Sequence, residues 1–226
     1  MKKAFTLAEL LIVLGIIGIV AALTMPILIQ NHTNRVVVTR LQKFYSIMNQ
    51  AIDLAEVENG DKKVWYNYDA AGLDNEGNSK TLAWYNKYLA KHIKTTKVTV
   101  DNVGRPTFYL ADGSAFKPRH STALADWIFY PGNPDKCNKK YSENDSTGRC
   151  AFVFIFRPNS NSSYWITHYD KGMEPHKYAW NGSRDDLKNN ANYGCNNKTS
   201  SKAYCTALIQ YDGWKISDDY PLKVSY

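Results

Sequence analysis

The sequence lacks the spacings on which most enzymatic chemistry is built. It has no Gly-x-Ser-x-Gly elbow, no glycine-rich phosphate loop and no His-Glu-x-x-His pair. Without a convergent acid–base or nucleophile cluster, the expectation is a chain that is not an enzyme. Cysteine is scarce: Cys137, Cys150, Cys195 and Cys205, with no Cys-x-x-Cys pair. The five histidines (His32, His92, His120, His168, His176) are scattered, none at metal-ligand spacing to a cysteine, so no metal or other cofactor is expected. Long runs of Lys or Arg are absent, as is any basic stripe on a predicted helix. The formal charge of +7 therefore permits only weak attraction to nucleic acid or anionic lipid.

Charge is missing altogether from residues 10–30, and apolar residues are concentrated there. Outside that stretch the chain is rich in Asn, Ser, Tyr and Lys, and the mean hydropathy of the whole chain is −0.46. With 22% charged and 44% hydrophobic residues, neither a disordered tail nor a polytopic membrane protein fits. A length of 226 residues allows one globular domain with an appendage. The composition reads as one membrane segment joined to a water-facing domain.

A cleaved secretory signal explains Lys2 and Lys3, but the apolar run is too long for one and no clean Ala-x-Ala site follows. A plain signal anchor fits the length but gives no reason for Glu9, since an ionised carboxylate at hydrocarbon depth costs several kcal/mol unless paired. A third reading accounts for the acid. Residues 5–11 read Phe5-Thr6-Leu7-Ala8-Glu9-Leu10-Leu11, preceded by the short basic leader 1–4 and followed by an apolar helix. This segment resembles the N-terminus of type IV pilins and type II secretion pseudopilins.

The resemblance implies that a prepilin peptidase cuts between Ala4 and Phe5 and methylates the new amine of Phe5. Alanine stands before the cut where the family usually has glycine, and it is small enough for cleavage to be expected. Glu9 would pair with the methylated amine of a neighbouring subunit and set the axial register of a filament, and a buried acid is tolerable when a cation meets it. Pro26 matches a recurrent proline of the family, expected to kink or locally melt the helix. The implied organisation is a leader at 1–4, a transmembrane and assembly helix at 5–29 and a soluble head at 30–226. The implied location is the bacterial inner membrane, single-pass with the head in the periplasm, and then a periplasmic or cell-surface filament. Orientation comes from the resemblance, because Arg35, Arg40 and Lys43 beyond the span oppose the two leader lysines. Implied partners are the chain itself, other pilin-like subunits, the peptidase and the inner-membrane assembly machinery.

Beyond the span, Val37, Leu41, Phe44, Met48, Ile52 and Ala55 recur at steps of three and four, the period of an amphipathic helix. Asn59-Gly60 is a stop signal, so residues 5–58 are predicted to form one helix about 80 Å long. Residues 60–80 read as a loop. Leu82, Tyr85, Leu89 and Ile93 mark a second helix with Ser79 as a cap. Segments 107–110 and 114–116 flank Asp112-Gly113 as a hairpin, and 151–156 is the clearest strand, with 164–168 as its expected partner. A third hairpin is expected where 207–211 and 214–216 flank Asp212-Gly213. The fold class is α+β: a long membrane-spanning helix continuing into an amphipathic helix packed on an antiparallel sheet head.

An even cysteine count after an export segment points to disulfides in an oxidising compartment. Of the three pairings, the local one, Cys137 with Cys150 and Cys195 with Cys205, closes two short loops and is expected. Some pseudopilins bind calcium through loop carboxylates. That makes Asp185-Asp186 and Asp218-Asp219 the places to look, although neither has the spacing of a calcium loop. The 16 tyrosines and 6 tryptophans are mostly read as core and loop packing. If a binding face exists, Tyr130, Trp165, Trp180 and Tyr193 are the candidates. The expected function is a structural subunit of a type IV pilus or type II secretion pseudopilus. The alternative is a minor or tip subunit whose head contacts DNA, a surface or an exported substrate.

Overall fold

The computed structural model describes residues 6–65, 71–120, 123 and 125–226. Helix α1 runs unbroken from Leu7 to Asn59. Its first half is apolar on every side and exposed, with Leu7, Leu14, Leu23 and Ile29 each more than half open to solvent. Its second half buries Val37, Leu41, Phe44, Met48, Ile52 and Ala55, the stripe that the three-and-four spacing predicts, together with Ala51. Gly60 ends the helix at φ 79°, a conformation a side chain resists, and its N–H bonds the Glu56 carbonyl at 2.9 Å.

The stripe rests on a six-stranded antiparallel meander with sequential order. The strands are β1 (Lys97–Val100), β2 (Pro106–Tyr109), β3 (Ala115–Pro118), β4 (Asp126–Tyr130), β5 (Phe152–Phe156) and β6 (Met173–Pro175). Register lines up a row of rings across the sheet, Phe108 opposite Phe116, Phe116 opposite Phe129, and Phe129 opposite Phe152. Phe44 of α1 stacks on Phe129 at 4.5 Å between ring centres and meets Phe154 edge-on at 5.0 Å. Helix α2 (Lys80–Tyr88) covers the β2 end, with Tyr85 against Phe108, and Ser79 caps it through the Leu82 N–H as predicted. The other face of β4 and β5 is also buried. Ile128 and Tyr130 lie in the cluster of the Cys137 and Cys150 bridge. Among the described residues the head also carries four short helices: α3 (Pro134–Lys140), α4 (Glu143–Ser146), α5 (Arg184–Asn189) and α6 (Cys205–Tyr211).

Polar bonds hold α1 against the edge strand β6. Tyr45 donates its hydroxyl to Glu174 at 2.7 Å, and Asn49 donates to the Met173 carbonyl at 3.0 Å. Gly172 leaves room there for Asn49, whose side-chain amide would have to move aside for a Cβ at that position.

Several expectations are corrected. Segment 164–168 is a series of turns, and β5 pairs instead with β4 and β6. Tyr164 and Ile166 point to solvent while His168 is fully buried, so the β-prone composition of that segment serves a loop. Segment 207–211 belongs to helix α6, not to a hairpin. Its run of Cys205, Thr206, Ala207, Leu208 and Ile209 is buried all round, and short apolar runs do not separate strand from helix. Asp212-Gly213 closes that helix, with Asp212 N–H on the Leu208 carbonyl at 3.0 Å. The loop after α1 holds a short 3-10 turn, Lys62–Trp65. Helix α2 stops at Tyr88, although Leu89 and Ile93 are buried as predicted. Pro26 does not melt α1, which stays helical through it.

Candidate functional site

The functional candidates of the N-terminal segment are carried by the first turn of α1. Thr6 is its N-cap. The Thr6 hydroxyl oxygen accepts the Glu9 N–H at 3.2 Å, and the Glu9 carboxylate accepts the Thr6 N–H at 2.9 Å and the Thr6 O–H at 2.8 Å. This reciprocal capping box satisfies two helix-start groups and sets a negative charge at the positive end of the helix dipole. Glu9 thus has a partner within its own chain, and the Thr6-x-x-Glu9 spacing is the sequence signal for it. Ala4 and Phe5, the expected cut and methylation positions, lie outside the described residues. Pro26 sits on the exposed part of α1 beside the C-terminal residues 223–226.

The cysteines pair locally, Cys137 with Cys150 and Cys195 with Cys205, and none of the described cysteines is free. The first bridge ties α3 to the start of β5. The second ties the loop after α5 to the start of α6.

The four aromatic candidates do not form one face. Tyr130 is buried beside the first disulfide. Trp165 and Tyr193 are linked through Tyr178, at 4.6 and 5.6 Å between ring centres, and the Arg157 guanidinium lies over Trp165 at 4.6 Å. Trp180 donates its indole N–H to the Ser183 carbonyl at 2.8 Å and meets Tyr211 edge-on. Between these rings lie two buried imidazoles. His168 Nε2 accepts the Lys177 N–H at 3.1 Å, and His176 Nε2 lies 3.9 Å from Asp126. Among the described residues, the Nδ1 atoms of both rings have no hydrogen-bond partner. Burial pushes the His168 imidazole down to about 3, helped by the nearby charges of His176, Lys177 and Arg157. Burial likewise lowers His176, against the opposing pull of Asp126.

Comparison with known proteins now bears on both halves of the chain. Residues 1–25 match the prokaryotic N-terminal methylation motif, the prepilin-type cleavage and methylation segment of type IV pilins and pseudopilins. Residues 27–224 match the family of unknown function DUF6613. The chain belongs to the DUF6613 family. No curated protein and no solved structure matches it. The two matched regions meet inside α1, on either side of Pro26. The DUF6613 region thus shares a continuous helix with a prepilin segment. Motif and apolar helix together fit a membrane-anchored precursor of a pilin-like subunit. They imply processing by prepilin peptidase and assembly with other pilin-like subunits.

In this DUF6613 head the acid pairs are largely engaged. Asp185 accepts from Asn189 at 2.7 Å, and Asp186 accepts from Asn190 at 2.9 Å. Asp219 is held by Arg184 at 2.8 Å and by Lys188 at 2.7 Å, which keep its carboxyl well below the usual range. Among the described residues, no group of three or more His, Cys, Asp or Glu stands close enough to hold a metal. Sequence reasoning missed Arg184. Its guanidinium also takes both oxygens of Asp212, at 2.6 and 2.8 Å, and so joins α5 to the end of α6 and to the C-terminal segment. No local pattern announced this, because the partners are 28 and 35 residues away.

Proposed function

We propose that the chain is a structural subunit of a type IV pilus or type II secretion pseudopilus, cut before Phe5, N-methylated there and polymerised through the apolar half of α1. The observation that carries this reading is the division of one 53-residue helix into two parts. The second part spends its apolar stripe on the head. The first part buries nothing within the chain, and its best 18-residue window has a mean hydropathy of 2.7. Each large apolar side chain left in water forgoes roughly 1.5–3 kcal/mol of burial, so that surface requires a covering. In the precursor the bilayer supplies it, and in the filament the same segments of neighbouring subunits do. The head stays in the periplasm and then on the filament surface. Glu9 fits both states, capping its own helix in the precursor and meeting the methylated amine of the next subunit after assembly. The role is mechanical, and turnover of a substrate has no part in it.

Mass spectrometry of the mature N-terminus from the native host tests this reading. N-methyl-Phe5 is expected. A chain that retains Met1 and is recovered only as single copies in membrane would overturn it.

A further inference from the structure

We propose that the cleft where α1 leaves the membrane holds one glycerophospholipid of the surrounding bilayer, with its phosphate on Lys223 and its acyl chain along Met25 and Ile29. The inference rests on the membrane-anchored reading of α1 and adds a ligand to it. The C-terminal segment returns along α1 beneath the head and borders an open cleft of about 650 Å³. Met25, Pro26 and Ile29 give it an apolar wall, and His32 and Lys223 also line it. Met25 and Ile29 are 58% and 65% exposed, so the apolar wall runs on without a break into the membrane-facing surface of α1.

The level of the cleft follows from length. Residues 7–29 rise about 34 Å as helix, slightly more than a hydrocarbon core of about 30 Å. Gln30 and His32 therefore stand where acyl chains give way to glycerol and phosphate. An amphiphile with a tail below and an anion above matches that change within two helical turns.

Charge favours a lipid over a second copy of the chain. Arg35, Lys215 and Lys223 are exposed and make no ion pair among the described residues. Arg35 and Lys215, with Trp214, line a separate cleft of about 370 Å³ that shares no lining residue with the first. The acidic side chain in that neighbourhood is Asp218. A second copy at the same depth brings the same cations, like facing like, whereas a phosphodiester brings the opposite sign. Lysine beside Trp and Tyr is also the composition that settles at a bilayer surface.

The test uses the full chain in nanodiscs containing equal phosphatidylglycerol and phosphatidylcholine, with native mass spectrometry counting the lipids retained on release. One retained phosphatidylglycerol per chain is expected. Lys223→Glu should lower that retention by about fivefold or more, the effect of one lysine at a membrane surface. Ile29→Trp should abolish retention by filling the cleft with every cation in place. Both positions are exposed, so neither change disturbs the head, and intact disulfides in the same spectra verify that. Equal retention in wild type and both variants, no retained lipid, or a cross-linked second copy seated in the cleft would each overturn the proposal. The N-terminus is read on the same samples when they are co-expressed with the peptidase. Correct processing without lipid defeats this inference alone, and absent processing defeats the pilin reading.

Discussion

Glu9 carries two separable properties, a hydrogen-bonding shape and a charge. Its oxygens close the capping box with Thr6, and a glutamine at the same place can close it too. Only the carboxylate can neutralise an amine from a neighbouring subunit. Glu9→Gln is therefore expected to keep membrane insertion, helix start and leader removal, and to lose filament yield as severely as Glu9→Ala. Sheared-filament yield against membrane-fraction yield measures it, and normal filaments from Glu9→Gln would end the charge-pairing account. In the head, Phe44 is the residue on which most depends, because it touches rings of three strands and is 2% exposed. Phe44→Ala should cost about 3–5 kcal/mol, read by chemical denaturation of the full chain in detergent. Its role was legible from the spacing of the stripe. Its ring partners were not, since they come from strands more than 70 residues away.

At the scale of elements, the helix α6 shows why a local reading failed. Its sequence has the apolar run and the Asp-Gly signal of a hairpin, yet the central strand β5 is already flanked by β4 and β6, and the segment forms a helix outside the sheet. It is held instead by its disulfide to Cys195 and by close packing under Gly148, where a Cβ would run into Cys205 Sγ. Gly148 also has φ 78°, so Gly148→Ala strains the backbone and the packing together. Replacing Cys195 and Cys205 by serine should lower stability by about 2–4 kcal/mol and loosen residues 190–211 first. Hydrogen exchange would register this as lost protection in α6, with β2 and β3 unchanged. Uniform loss across the sheet would contradict the picture of α6 as a locally stapled element. The β2–β3 hairpin was readable because a short loop, residues 111–113 with Gly113 at φ 79°, fixes its own register, whereas the α6 environment is assembled from residues far apart in the chain.

The whole molecule has a pH dependence set by its buried imidazoles. An unfolded histidine takes a proton near pH 6.5, while folded His168 refuses one until about pH 3. Between those values the unfolded state binds more protons than the folded state. Stability is therefore complete above about pH 6.5 and drains as the pH falls. His176 moves in the same direction. The loss from His168 alone should reach about 2 kcal/mol at pH 5, before the carboxylates titrate. The Tm of the full chain in detergent should drop between pH 7.5 and pH 5. An unchanged Tm would show that these rings are not held neutral by burial.

The sequence by itself determined the long helix, its exposed and buried halves, the prepilin segment and the α+β class, because each depends on neighbours within a few residues and on a regular period. Tertiary structure alone decided which strands flank β5, that the segment before Asp212-Gly213 is a helix, that Arg184 gathers Asp212 and Asp219, and that residues 223–226 return to line α1 beside Pro26. Those outcomes depend on which surfaces remain uncovered once the sheet has formed on the helix, a competition between distant segments that no local pattern records.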